Sequence, residues 1–97
     1  MKLARAEEIA LAALDWLCGQ DTLLAVFLAA SGADAQDLRA QLETATGPDE
    51  SLLMAVLDFI LMRDDTVMDC CRAQNLPFDQ LAVAHAVLSG TAQMHWT

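Results

Sequence analysis

Residues 52–62 read Leu-Leu-Met-Ala-Val-Leu-Asp-Phe-Ile-Leu-Met, ten apolar side chains with Asp58 as the single interruption. As a helix this run spans about 16 Å, at ~1.5 Å per residue, and falls well short of the ~20 residues a bilayer demands. A helix apolar nearly all round belongs inside a packed protein. The run therefore predicts a central core helix with the other segments wrapped around it. The chain is 56% apolar, much of it Leu and Ala, and no alternating stretch reads as a strand. The expected fold is all-α, a compact bundle of about six helices. A single domain is expected over residues 1–90, with a loosely held tail over 91–97.

Punctuation residues divide the chain. Helix one is expected from Leu3 to Cys18, with Gly19 as a left-handed stop. Asp21 is placed as the N-cap of helix two, which Gly32 ends, and Asp34 as the N-cap of a short third helix carrying Leu38 and Leu42. Residues 43–51 are the polar, breaker-rich connector, with Pro48 near the start of helix four at 49–63. Asp64 or Asp65 should cap helix five and Asn75 should stop it; Leu76-Pro77 then forces an extended step into helix six, 78–88. Gly90 closes that last helix.

Laying residue i over i+43 aligns the two halves without a gap. Ala12, Leu14, Asp15, Asp21, Ala30 and Leu38 fall on identical residues, Trp16 falls on Phe59, and the stop Gly32 falls on Asn75. The pattern predicts two copies of a three-helix unit, residues 3–45 and 48–90, packed through their long first helices. In the segments Leu14-Asp-Trp-Leu17, Leu57-Asp-Phe-Ile-Leu61, Phe27-Leu-Ala-Ala-Ser-Gly-Ala-Asp34 and Asn75-Leu-Pro-Phe78, the chain resembles a family of short, all-helical bacterial proteins catalogued only as a domain of unknown function. The resemblance spans nearly everything except the tail. It implies a helical fold and brings no catalytic or binding residues with it.

Charge narrows the classes of function. Fourteen acids against five bases give a net charge of −9, a field that repels nucleic acid and anionic lipid and keeps an apolar-rich chain soluble. Neither nucleic acid nor membrane is expected as a partner. Cys18, Cys70 and Cys71 cannot all pair, and adjacent cysteines rarely bridge, so reduced thiols in a cytoplasmic protein are expected. Lys2 and Arg5 precede an apolar run, but Glu7, Glu8 and Asp15 interrupt it as a secretion signal.

No residue set announces chemistry. Residues 26–42 look faintly like a DNA-reading helix-turn-helix, yet bulky Leu28 stands where a small residue is usual and the reading helix is acidic. Asp15 and Asp58 occupy matching places and could share a proton or a cation, or simply edge their helices. His85 reads as a hydrogen-bonded boundary histidine, without a nucleophile in a recognisable arrangement. Neither enzyme nor cofactor is expected. The apolar surplus predicts instead a face for a homodimer or protein partner, built from Met54, Met62, Met68, Phe27 and Trp96. The rival readings are a nucleic-acid binder through residues 26–42 and a carrier of an apolar small ligand.

Overall fold

The computed structural model describes residues 1–32, 34–43 and 50–90. They form α1 (Leu3–Cys18), α2 (Asp21–Ser31), α3 (Ala35–Glu43), α4 (Glu50–Leu61), α5 (Asp64–Gln74) and α6 (Gln80–Ser89). The fold is all-α, and among the described residues no helix is long and apolar enough to cross a membrane. The expected tail at 91–97 and the start signal at Pro48 lie outside the described residues.

Local chemistry explains three of the helix ends: the start of α3 and the ends of α5 and α2. The Asp37 N–H donates to Asp34 Oδ1 at 2.8 Å, which makes Asp34 the anticipated N-cap. Asn75 adopts the left-handed conformation (φ 57°, ψ 47°), and the Leu76 N–H reaches back to the Cys71 carbonyl at 2.8 Å. Together with the Asn75 N–H on the Arg72 carbonyl, that is a Schellman stop. Gly32 ends α2 at φ 77°, its N–H on the Leu28 carbonyl. A Cβ at Gly32 would meet nothing within 4 Å, so the cost of Gly32→Ala is backbone strain alone. Its urea unfolding midpoint should fall by the equivalent of about 1–2 kcal/mol; an unchanged midpoint would mean the left-handed turn is not needed.

Three caps differ from expectation. Gly19 is right-handed (φ −86°), not left-handed. Only Gly19 and Gln20 separate α1 from α2, and the two axes differ by 112°. A tight right-handed turn, with the Gly19 and Gln20 N–H groups on the Trp16 and Leu17 carbonyls, makes that corner. Gln20, not Asp21, holds the N-cap position, so Asp21 acts in the first turn on the helix dipole. Arg63 holds the corresponding place before α5 and pairs with Asp65. Desolvation alone would raise the Asp65 carboxyl; hydrogen bonds from Arg63 and the Thr66 N–H, with the Arg63 charge, outweigh it and hold the group below its ordinary range.

The centre of the molecule is α1. It packs against α2, α4, α5 and most broadly α6, and buries Ala6, Ile9, Ala10, Ala13, Leu14, Trp16 and Leu17. Three of these are alanines on one helical stripe, which lets neighbouring backbones come close. From α6, Leu81, Ala84, Val87 and Leu88 join the same core. The apolar run of α4 is buried on one side only, through Leu53, Val56, Leu57 and Ile60. Ala55 and Phe59 are half-buried on its other side, and Met62 just past its end is 77% exposed. The expected wholly enclosed central helix is thus corrected: α4 is a wall of the core, and α1 is its axis. The first helices of the two halves do pack together, with Trp16 buried and Phe59 half-buried. Both ends of α2 and α5, and the last residues of α1 and α4, keep the 43-residue register. The third helices play different parts, however. While α6 lies against both α1 and α4, α3 offers Leu38 as its buried side chain among those described.

Candidate functional site

The sequence of α2 is Asp-Thr-Leu-Leu-Ala-Val-Phe-Leu-Ala-Ala-Ser, apolar at eight consecutive positions, yet only Phe27 is buried. Leu23, Leu24 and Leu28 are half-buried, and Ala25, Val26, Ala29 and Ala30 are exposed. The sharp corner at Gly19-Gln20 is the cause. It swings α2 across the edge of the bundle, where it meets α1 and α4, and among the described residues Ala25, Val26, Ala29 and Ala30 stay exposed.

A groove runs between the carboxyl-terminal halves of α2 and α4. Its volume is about 220 Å³, and its lining is Phe27, Ala30 and Ser31 from α2 with Ala55, Asp58, Phe59 and Met62 from the other side. Phe27 and Phe59 form the floor as an edge-to-face pair, ring centroids 5.4 Å apart and planes at 64°. This is a favoured aromatic arrangement and locks the two helices together at one point. Val26, 51% exposed, lies one turn before Ala30 and extends the apolar stripe to the rim. Ser31 Oγ donates to the Leu28 carbonyl of its own helix.

Among the described residues that line the groove, Asp58 carries the charge. Asp58 is exposed on α4, and its Oδ1 lies 2.5 Å from Nε2 of the half-buried His85 on α6. The carboxylate accepts and the imidazole donates, tying α6 to α4 at a residue that lines the groove. His85 is therefore the hydrogen-bonded boundary histidine anticipated from sequence. Of the two matching carboxylates, Asp58 serves its neighbour. Asp15 is exposed on α1; burial, and secondarily the Asp15 charge, pushes the Cys18 thiol up.

The groove unites two of the five side chains expected at a partner face, Phe27 and Met62. Met54 is half-buried against the core, and Met68 is 40% exposed on α5; neither lines the groove. Trp96 lies outside the described residues. Sequence reasoning missed Val26, Ala30, Ala55 and Phe59. The signal that would have found them is the unbroken apolar run of α2, too greasy for a helix held at the edge of a small bundle.

A second hollow of about 410 Å³ lies at the α5–α6 corner, among Cys71, Arg72, Asn75, Leu76, Pro77 and Phe78. Its thiol is buried and pushed up, first by desolvation and then by the Asp79 charge, the wrong direction for a nucleophile. On the α2–Gly32–α3 segment, α3 and its cap expose Asp34, Gln36, Asp37, Arg39 and Glu43, a largely acidic face.

Comparison with known proteins places the chain in a family. It belongs to the family described as "Protein of unknown function (DUF3572)", whose model matches residues 3–91. No curated protein and no solved structure matches it.

Proposed function

We propose that this family member is a non-enzymatic protein–protein interaction module, a cytoplasmic adaptor or regulator whose contact face is the α2–α4 groove. The single observation that carries the reading is α2 itself, a helix of eight successive apolar residues with one of them buried. Water contact at such a face is unfavourable, and covering one large apolar side chain recovers about 1.5–3 kcal/mol. Val26 and Met62 at the rim are the side chains with most to gain. The chemistry of the remaining groups supports a non-catalytic role. Burial raises all three thiols, most of all Cys70, and thiols so held are poor nucleophiles. The apolar-carrier reading is less well supported, because small-molecule pockets run to about 300–1,000 Å³ and enclose most of their ligand. This groove is smaller, and both it and the larger hollow at the α5–α6 corner are open rather than enclosing.

The test is the double variant Val26→Glu/Met62→Glu. Both side chains are exposed, so the melting temperature should stay within about 2–4 °C of the wild type. Tagged wild-type chain should retain a protein from its native lysate that the variant binds at least about tenfold more weakly, each factor of ten being ~1.4 kcal/mol. The reading fails if both chains retain the same protein equally. It also fails if the wild type stays monomeric by light scattering at every concentration and retains nothing.

A further inference from the structure

The groove lies at the carboxyl-terminal ends of two helices at once. Ala30 and Ser31 belong to the last turn of α2, and Asp58, Phe59 and Met62 to the last turn of α4 and the residue beyond it. Helix carboxyl ends carry partial negative charge, which Lys or Arg in the last turn commonly offsets. Neither α2 nor α4 has a basic residue there. Asp58 adds a full carboxylate between them, 63% exposed at its side chain. The nearest base along the chain, Arg63, turns the other way in effect, since its guanidinium holds Asp65 at the start of α5 through two hydrogen bonds of 3.0 and 3.2 Å. His85 donates to Asp58 Oδ1 from α6, and the carboxylate's side chain stays largely exposed. An apolar floor of two phenyl rings is thus framed by two helix carboxyl ends without a basic side chain and by an exposed carboxylate whose described partner is a histidine, on a molecule of net charge −9.

Resting on the interaction-module reading above, we propose that the occupant of the groove is a basic amphipathic helix of another protein. One apolar side chain of that helix would seat over Phe27 and Phe59, and a Lys or Arg one turn away would meet Asp58 and the α2 carboxyl end. The helical form follows from hydrogen bonding. The groove walls are flanks of α2 and α4, whose backbone groups are bonded along their own helices, so an extended peptide would find few partners for its N–H and C=O groups. A helix satisfies its backbone internally and presents apolar anchors at i, i+3 and i+4. Charge selects the partner. A second copy of this chain would bring another −9 to the same face, whereas a cationic helix is drawn in and oriented by it.

Two synthetic peptides of about 18 residues, long enough to hold a helix, test this against the full chain labelled with ¹⁵N. Both carry the same Leu stripe at i, i+4 and i+7; one has Lys on its flanks and the other Glu. The Lys peptide should shift the amides of Val26, Phe27, Ala30, Ala55, Asp58 and Phe59. It should bind about tenfold tighter than the Glu peptide at ~20 mM salt, the ratio shrinking several-fold at ~0.5 M as screening sets in. In Asp58→Asn the ratio should fall at least about twofold, the size expected for one exposed ion pair. Equal binding of both peptides at the groove would overturn the charge selection and leave the interaction module standing. Shifts elsewhere, or none, would overturn the helical occupant. Concentration-dependent broadening of the same amides without peptide would name a second copy as the occupant and overturn the proposal.

Discussion

Leu17→Ala is expected to lower the unfolding free energy by about 3–5 kcal/mol and the melting temperature by roughly 15–25 °C. Leu17 has no solvent exposure and lies in the last turns of α1, the helix that meets α2, α4, α5 and α6. Because α1 packs against four other helices, closing a cavity on its buried face requires more than the shift of one of them. The upper part of the range observed for buried leucines therefore applies. The comparison that gives the result meaning is Leu24→Ala on α2. Leu24 is half-buried on a helix with one buried residue, and about 1 kcal/mol is expected from the area it keeps from water. Urea unfolding of the two variants measures the difference directly. Equal losses would show that α2 is as deeply embedded as α1, and the uncovered apolar face would disappear with that result.

The same contrast shows what a sequence of this kind reveals. Helix ends governed by one residue's own backbone preference were readable: Gly32 and Asn75 are left-handed and Asp34 caps α3. Gly19 was misread because its conformation answers to the 112° corner it must make with α2, a tertiary demand. The organising helix was misplaced for a related reason. Hydrophobicity alone ranks the run at 52–62 first, but packing rewards close approach: α1 and α4 each meet four helices, and α1, with the small residues Ala6, Ala10 and Ala13 on its buried face, meets them more broadly. At the groove, the type of residue was readable and the grouping was not. Phe27 and Met62 were identifiable as apolar groups with surface to spare. That Phe27 stacks on Phe59, or that Asp58 bonds His85, depends on how α2 and α6 lie against α4. No periodicity within one helix encodes a contact between two.

The second large effect is alkaline. Cys70 is fully buried, and desolvation, helped by the adjacent Cys71, pushes its thiol from 9.0 up to about 12. In the unfolded chain the same thiol loses its proton above about pH 9, while the folded protein keeps it. Unfolding therefore releases a proton, and stability falls as pH rises from about 9 towards 12. At ~1.4 kcal/mol per unit, Cys70 alone should cost about 2 kcal/mol between pH 8 and pH 10.5. The chain is well suited to seeing this, because it has no tyrosine and its one lysine is Lys2. Few other groups titrate in that window. Urea unfolding under reducing conditions at the two pH values should show the loss in the wild type, and a loss smaller by about 2 kcal/mol in Cys70→Ala. The variant starts from a lower stability, since the missing sulfur leaves a small void, but the pH dependence is a difference within each protein and is unaffected by that offset. Cys71, raised by burial and then by Asp79, and Cys18, raised by burial and then by Asp15, add to the alkaline slope in both proteins and cancel in the comparison. An identical slope in the two proteins would place the Cys70 thiol in contact with water, and with it the inner face of α5.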